Sequence, residues 1–349
     1  MKLQKEVAII GAGIAGLSCA TALQKSGCNV TVFEKSRGVS GRLSTRVTQA
    51  TALNEYWQCD HGAQYFTARD PIFNAEVQRW IQADVAQLWQ ARLTDYDGHH
   101  FSIKEGETDR YVGYPRNSSP AKWLAQSLNI HTETTITHLQ KYVQHWQITS
   151  KEHGEHVQQF DSVFLAIPAP QAAVLLKNVA PVLYDVAAKV KMQACFALML
   201  NIESTVNCDF DGLFINNGLL SWIARDSAKP GRHNAANNKN PLKNQETWVL
   251  HASSQWSEMH VDDDKETIAQ QMLAEFLSII ALKDATVPML QISTLHHWLY
   301  ADCDGCLNSV YEFDAQHNIG LCGDWLNGGK VQGAWLSGLM LAKQIIAVI

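Results

Sequence analysis

Val7-Ala-Ile-Ile-Gly-Ala-Gly-Ile-Ala-Gly16 decides the fold of this chain: an apolar strand that runs into a Gly-x-Gly-x-x-Gly turn. Gly11 permits the tight turn, Gly13 lets backbone approach a pyrophosphate, and Gly16 lets the next helix lie close to the strand. The helix expected from Ile14 to Ser26 would aim its unpaired N–H groups and positive dipole end at the phosphates. A second apolar run, Val30-Thr-Val-Phe33, ends at Glu34, 18 residues after Gly16, where a carboxylate can accept from both ribose hydroxyls. Strand, glycines, helix and acid together indicate a dinucleotide site; they leave FAD and NAD(P) equally open.

Working outward, the 349 residues are enough for two domains with their own cores. Hydrophobic content of 46% with 18% charged residues describes a globular chain, and a net charge of −6 argues against non-specific nucleic-acid binding. The first strand starts too early to leave room for a signal peptide, and no run of about 18 apolar residues suggests a membrane span. A cytoplasmic enzyme with no membrane partner is therefore expected. Gly333–Ile349, broken by Lys343, reads as a buried terminal helix. The eight cysteines read as free thiols of a reducing compartment, and the single Cys303-Asp-Gly-Cys306 pair is too few ligands for zinc. No metal site is expected, at the acidic run Asp262–Asp264 or at His153-Gly-Glu-His156, which reads as a hairpin turn.

Short apolar runs return at Ser162–Pro168 and Ile319–Gly323, as buried parallel strands do, while Phe196–Asn201 and Thr247–Ala252 alternate like antiparallel ones. A helix is expected over Asp264–Ile280 behind the acidic run. The fold class that follows is α/β: a discontinuous Rossmann-like FAD/NAD(P)-binding domain with an inserted α+β substrate domain built on an antiparallel sheet. The expected division is 1–70, 130–175 and 300–349 for the first, 71–129 and 176–299 for the second. Asp226–Glu246, rich in Asn, Lys, Pro and Gly, reads as a surface excursion.

Three more segments favour FAD. They are Phe33–Arg46 with Gly41 and Arg42, Asp60-His-Gly-Ala-Gln-Tyr-Phe-Thr-Ala-Arg69, and Gly320-Leu-Cys-Gly-Asp-Trp325 followed by Gly328–Gly338. A long, extended FAD has use for a second glycine-rich strand end near the C-terminus; an ordinary NAD dehydrogenase does not. Together these segments resemble the flavin amine oxidase superfamily. Within it the chain is similar to bacterial renalases, through the Asp60–Arg69 segment, the Gly-Asp-Trp ending, Tyr111-Val-Gly113, Trp222–Arg232 and His251–Ser257. The usual Pro-Gly-Met after Tyr-Val-Gly is replaced by Tyr114-Pro-Arg-Asn-Ser-Ser-Pro120, a departure beside the expected pocket.

The resemblance implies non-covalent FAD, contacted by Gly11, Gly13, Ala15, Gly16, Glu34, Lys35, Gly41, Arg42, Gln64, Tyr65, Gly323, Asp324 and Gly333. A covalent bond to Cys303 or Cys306 is the less favoured alternative. It places His297 and Trp298, with Tyr65, at the flavin face as stacking residues without an assigned base. Trp222 and Trp325 are further candidate pocket walls, and Asp60 is either a turn cap or a flavin contact. Arg42 and Arg46 read as phosphate contacts, whereas Arg225, Lys229 and Arg232 read as surface ion pairs. The activity implied is oxidation of 2- and 6-dihydro isomers of NAD(P) by hydride transfer to flavin N5, with O2 reduced to H2O2. The alternatives are an amine oxidase acting on a small amine, and a flavin- or NAD-binding regulatory protein without turnover.

Overall fold

A computed structural model of the chain describes residues 4–50, 55–104, 106, 108–202, 205–232, 246–282 and 290–347. Its central strand is the opening apolar run, Glu6–Ile10. This run pairs in parallel with Asn29–Phe33 on one side and Ser162–Leu165 on the other. Asn129–His131 and Ile319–Cys322 extend the sheet in parallel, and Tyr311–Asp314 closes it as an antiparallel edge. The inner strands are apolar on both faces because helices or a further sheet cover both. Their carboxyl ends share one edge, so Gly11, Glu34 and Gly323 emerge together, where open parallel sheets bind ligands.

The α-helices, in chain order, are α1 (Ile14–Lys25), α2 (Pro71–Gln82), α3 (Ser119–Ala125), α4 (Ala169–Leu176), α5 (Pro181–Ala188), α6 (Ser254–Met259), α7 (Lys265–Ala281) and α8 (Val331–Ile346). Helices α1 and α8 pack on one face of the parallel sheet. Their approach is so close that a Cβ at Gly338 would overlap the Ala15 carbonyl, and the Ser18 hydroxyl donates to the Trp335 carbonyl at 2.9 Å. On the other face, α4 and α5 pack with a small antiparallel sheet of Ile136–Lys141, Trp146–Ser150 and Gly154–Glu155.

The second large sheet has seven strands in the order Leu290–Asp304, Lys191–Ile202, Glu246–Ala252, Leu220–Arg225, Gly212–Ile215, Leu93–Tyr96 and Phe101–Ile103. All neighbours are antiparallel except Gly212–Ile215 with Leu93–Tyr96. Period-2 alternation sorts its side chains. Phe196, Leu198, Leu200, Trp248 and Leu250 pack under α7, through Ile268, Met272 and Phe276. Met199, Val249, Ala224 and Trp222 face the other way, onto Trp57, Cys59 and Trp89.

Element limits differ from the sequence reading by a residue or two. Helix α1 stops at Lys25 with Ser26 as its cap. Asp264 is the N-cap of α7, accepting from Glu266 and Thr267 amides at 2.9 and 3.1 Å. The last helix begins at Val331, two residues before Gly333. One expectation fails: Asp226–Glu246 does not begin as a surface excursion. Asp226, Lys229 and Arg232 are buried; residues 233–245 lie outside the described residues. No helix among the described residues is long and apolar enough to cross a membrane.

Candidate functional site

The glycine turn has the shape its sequence requires. Gly11 adopts φ +106°, its amide donates to the Phe33 carbonyl at 2.8 Å, and a Cβ there would lie 2.5 Å from the Ala166 carbonyl oxygen. A Cβ at Gly16 would overlap the Gly11 carbonyl, whereas at Gly13 it would meet open space. Gly13 is the N-cap of α1 and supplies no side-chain acceptor, so the first-turn amides, Ala15's included, are left for a ligand. Glu34 is buried beside the turn. Its Oε2 accepts from the Ala12 amide and its Oε1 from the Ser36 amide, both at 2.8 Å. A carboxylate offers about four acceptor sites, so two remain for ribose hydroxyls. Lys35 is exposed next to it.

The next expected segment folds onto this turn. The Ser40 amide donates to Ala12 O at 3.0 Å, and Gly41, at φ +53°, sits against the Gly13 backbone. Arg42 then forks onto Asp324, Nη1 to Oδ2 at 2.9 Å and Nη2 to Oδ1 at 2.5 Å, and Nη1 also reaches the Ala301 carbonyl at 3.1 Å. The Ala63 amide donates to Arg42 O at 2.8 Å, and a Cβ at Gly62 would overlap that oxygen. Gly323 donates through its amide to Ser337 Oγ of α8 at 2.9 Å. A Cβ at Gly333 would overlap the Asn327 carbonyl, which fixes how α8 enters. Lys330 caps α8 without a side-chain acceptor, leaving a second free helix N-terminus. Residues more than 280 positions apart thus meet along one sheet edge.

Beneath this edge lies a charged cluster that the sequence did not betray. Asp60, Asp226, Lys229 and Arg232 are all shielded from solvent. Lys229 Nζ donates to Asp226 Oδ1 at 2.7 Å, to Gln64 Oε1 at 3.0 Å and to Asp60 Oδ2 at 3.4 Å. Arg232 donates to Asp60 Oδ2 through Nε at 3.0 Å and Nη2 at 2.5 Å. Thr45 Oγ1 and the Asn117 amide complete the Asp60 shell at 2.5 and 3.2 Å. Burial pushes the Asp60 carboxyl up, but Lys229, Arg232 and Thr45 more than reverse it and hold it at about 2. Burial, reinforced by the Asp60 charge, raises Asp226 despite Lys229.

Lys229 and Arg232 are therefore not surface pairs, and Asp60 is a buried hub rather than a turn cap. Gln64 is committed inward as well, since its Nε2 donates to the Asp60 and Gly62 carbonyls. The departure after Tyr111–Gly113 joins the same hub: Asn117 accepts from the Gly113 amide at 2.8 Å and donates to Ala63 O at 2.5 Å. Arg225 alone of the three lies away from Asp60, 3.5 Å from Glu246.

The antiparallel sheet carries a row of rings on the face that also holds Met199 and Val249. Trp222, His251, Ala197 and His296 are opposite one another on four adjacent strands, so their side chains share one face. His61, from the loop after Asp60, packs edge-on to His296 at 4.8 Å and stacks on Trp298 at 5.1 Å; Trp298 Nε1 donates to His61 O at 2.8 Å. Tyr65 approaches Trp222 at 5.9 Å and Trp89 at 6.1 Å, with Arg110 over its ring. Buried His61 Nδ1, His251 Nε2 and Trp222 Nε1 have no hydrogen-bond partner among the described residues.

His297 is not in this group. As a strand neighbour of Trp298 it points to the opposite face and stacks on Phe196 at 4.2 Å, on the α6 side. Trp325 is fully buried in the core beneath the sheet, bonded to Ile167 O, and is no pocket wall. Arg46, expected at a phosphate, lies close enough to His61 and His296 for its charge to disfavour their protonation. Sequence reasoning did not single out His61 and His251, and of the two histidines beside Trp298 it is His296, not His297, that joins this row. Strand alternation was the available signal, because His296 and Trp298 share a face and His297 does not.

Burial, followed by His296 and Arg46, lowers His61 to about 3. Burial with Lys229 lowers His251 to about 4, and burial with Arg46 lowers His296 to about 4. All three are neutral at physiological pH. The unfolded chain binds these protons near the free-imidazole value of about 6.5, the folded one only far below it. Stability therefore falls as pH drops from about 6.5 toward 4, by up to about 1.4 kcal/mol per pH unit for each of His61 and His251, and by less for the more exposed His296, which solvent screens. Urea unfolding at pH 7 and pH 5 should show a clear loss at the lower pH; equal stabilities would contradict neutral burial.

The cysteines depart from expectation at one place. Six are free thiols, but Cys303 and Cys306 are joined in a disulfide with Cα atoms 5.4 Å apart. Asp302, Cys303 and Cys306 are also the one group among the described residues whose ligand atoms cluster tightly enough for a metal, and both sulfurs are already used in the bond.

Residues 9–81 match the family model described as an NAD(P)-binding Rossmann-like domain. A carotenoid phi-ring synthase of Streptomyces griseus is 32% identical over 119 residues, 32% of this chain and 20% of that protein. The tRNA 5-methylaminomethyl-2-thiouridine biosynthesis bifunctional protein MnmC of Magnetococcus marinus is 28% identical over 201 residues, 47% of this chain and 29% of its own. The chain thus spans less than a third of either relative. Whole-chain likeness comes from solved structures. A provisionally named protoporphyrinogen oxidase from Exiguobacterium sp. 255-15 superposes with TM-score 0.78 at 11% identity, covering 99% of both chains. Cyclohexylamine oxidase from Brevibacterium oxydans gives 0.70 at 11%, again over 99% of both. Putrescine oxidase bound to putrescine gives 0.66 at 12%, with the same coverage. At such identities the likeness shows the fold.

Proposed function

We propose that this chain is an FAD-dependent oxidoreductase of the renalase kind, which oxidises 2- and 6-dihydro isomers of NAD(P) and returns the electrons to O2 as H2O2. The observation that carries the reading is the Arg42–Asp324 fork, which ties the first dinucleotide turn to the last strand end between two uncapped helix N-termini. A mononucleotide would fill one end of that edge; a long dinucleotide fits its length. The open space over Gly13 and the free acceptor sites of Glu34 suit an adenosine diphosphate. The whole-chain likeness to two amine oxidases is a likeness of fold, and that fold is in keeping with an oxidase.

Bound along this edge, FAD supplies a two-electron acceptor that O2 reoxidises. The chain's own residues bind, orient and dry the site. The α1 and α8 N-termini and Arg42 meet negative charge, and Glu34 holds the ribose. Lys35, at the surface, adds at most a distant positive charge. The ring row of Trp222, His251, His296 and Trp298, with His61 and Tyr65, offers flat surfaces for stacking a planar substrate. Their imidazoles stay neutral, so they neither repel an oxidised, cationic product nor bind protons in competition. A dihydronicotinamide is already a hydride donor that gains aromaticity, so geometry and water exclusion suffice without a strong base. We assign residues 1–70, 130–175 and 300–349 to the cofactor domain, together with α2, α3 and α5, whose buried residues share the cores of the parallel sheet, and the remainder of 71–129 and 176–299 to the substrate domain.

Anaerobic mixing of the FAD-loaded protein with 6-dihydro-NAD should bleach the flavin within seconds, while simple amines leave it oxidised. Bleaching by amines alone would make the protein an amine oxidase. Full FAD occupancy with no reductant effective among either class would favour the non-catalytic reading.

A further inference from the structure

We propose that Cys303–Cys306 is an exchangeable disulfide, a site for small-molecule thiols, whose state is coupled to the grip on the cofactor. The coupling half of this rests on the FAD reading above; the exchange half does not.

The bond closes a ring between residues three apart. So short a ring removes little chain entropy from the unfolded state, so it contributes little as a structural crosslink. The other cysteines of the chain are free thiols, the state of a reducing compartment, where a lone disulfide is usually a redox participant. Both sulfurs are half-buried rather than enclosed. Cys303 is packed against the core below the parallel sheet, while Cys306 follows Gly305, whose side-chain direction is open space. Attack therefore falls on Cys306.

Its placement supplies the coupling. A Cβ at Gly329 would lie 2.9 Å from Cys306 Sγ and 3.4 Å from Cys303 Sγ, so the disulfide rests on the backbone that leads into α8. The Gly329 amide donates to Asp324 O at 2.8 Å, and the Leu307 amide to Trp325 O at 2.9 Å. On the other flank, Ala301 O accepts from Arg42. Both arms of the Cys-Asp-Gly-Cys turn thus touch the segment that holds the Arg42–Asp324 fork. Unbonded sulfurs need more room than bonded ones, and the Gly329 backbone lies beside both.

In the exchange, a thiolate of a small-molecule thiol bonds Cys306 Sγ, the Sγ–Sγ bond breaks and its electron pair leaves on Cys303 Sγ, which takes a proton. A second thiol then releases Cys306, so two thiols become one external disulfide and the protein gains two electrons and two protons.

The test equilibrates the wild-type protein in glutathione buffers of graded ratio, with and without added FAD. Differential alkylation then reads Cys303 and Cys306 by peptide mass, and flavin fluorescence reads FAD affinity. The pair should titrate as one two-electron couple while the other six cysteines stay unchanged. The dithiol form should bind FAD about fivefold more weakly, the low end of usual coupling. Reciprocity then requires FAD to make the disulfide harder to reduce by about 20 mV. Cys303→Ser should trap a glutathione adduct on Cys306. A pair that stays oxidised or stays reduced across the whole range overturns the exchange site. A titrating pair whose midpoint ignores bound FAD overturns the coupling. Failure to bind FAD in either state overturns the proposed function while the alkylation still reads the exchange.

Discussion

Lys229→Met is expected to destabilise the folded protein by about 3–5 kcal/mol, the usual cost of removing one partner from a buried ion pair. Methionine keeps the side-chain length and the packing near Trp89, over which the ammonium now lies at 5.7 Å. What it removes is the charge that faces Asp226, Asp60 and Gln64 together. Arg232 then remains as the one cation of the four, bonded to Asp60 and not to Asp226. Asp226 is the carboxylate stranded, and its raised pKa says it will escape by taking a proton. The penalty should therefore shrink as pH falls toward 5. Combining Lys229→Met with Asp226→Leu should restore most of the loss, because a buried pair exchanged for apolar groups is often near neutral. Urea unfolding at pH 7 measures all three proteins. A single-mutant loss below about 1 kcal/mol, the scale of an exposed pair, would mean the cluster is solvated.

Arg42→Ala is expected to weaken FAD retention by roughly a hundredfold, or about 3 kcal/mol. The forked guanidinium neutralises Asp324, and under the proposed function it would also present positive charge to the diphosphate. Alanine leaves the Asp324 carboxylate facing the ligand's own negative charge, so attraction becomes repulsion. Arg42→Lys should recover only part of the affinity, since an ammonium cannot span both carboxylate oxygens in a plane. Folding stability should change far less than retention, because the Arg42 side chain is 28% exposed. Gel filtration followed by the flavin-to-protein absorbance ratio gives the answer; unchanged retention would remove Arg42 from the cofactor's phosphates.

How much of this was legible in the sequence differs from place to place. The four inner strands of the parallel sheet were, because strands buried on both faces read as unbroken apolar runs and Gly11 and Gly16 have steric jobs that no other residue does; the short edge strands Asn129–His131 and Tyr311–Asp314 carry no such run. The Gly41–Arg42 and Gly323–Asp324 segments were legible as motifs, although their meeting was not. Lys229 and Arg232 were misread for a physical reason. They open a polar, proline- and glycine-containing stretch, and such composition ordinarily means solvent. Their burial depends on Asp60, about 170 positions earlier, and no local pattern reports a partner at that distance. The placement of His297 beside Trp298 at the flavin face could have been corrected from the strand pattern. Neighbours on a strand face opposite ways, so Trp298 could share a face with only one of the two histidines.

The contact between α1 and α8 sets an order of events in the cell. The wall behind the glycine turn is built by Gly338 and Trp335, against Ala15 and Ser18. On a growing chain, the turn at residues 11–16 leaves the ribosome early and then waits, without its backing helix, for residues 331–346. The Asp324 that answers Arg42 arrives just as late. Under the proposed function, cofactor capture would therefore be a closing act of folding, made possible after synthesis by the joining of the first helix to the last.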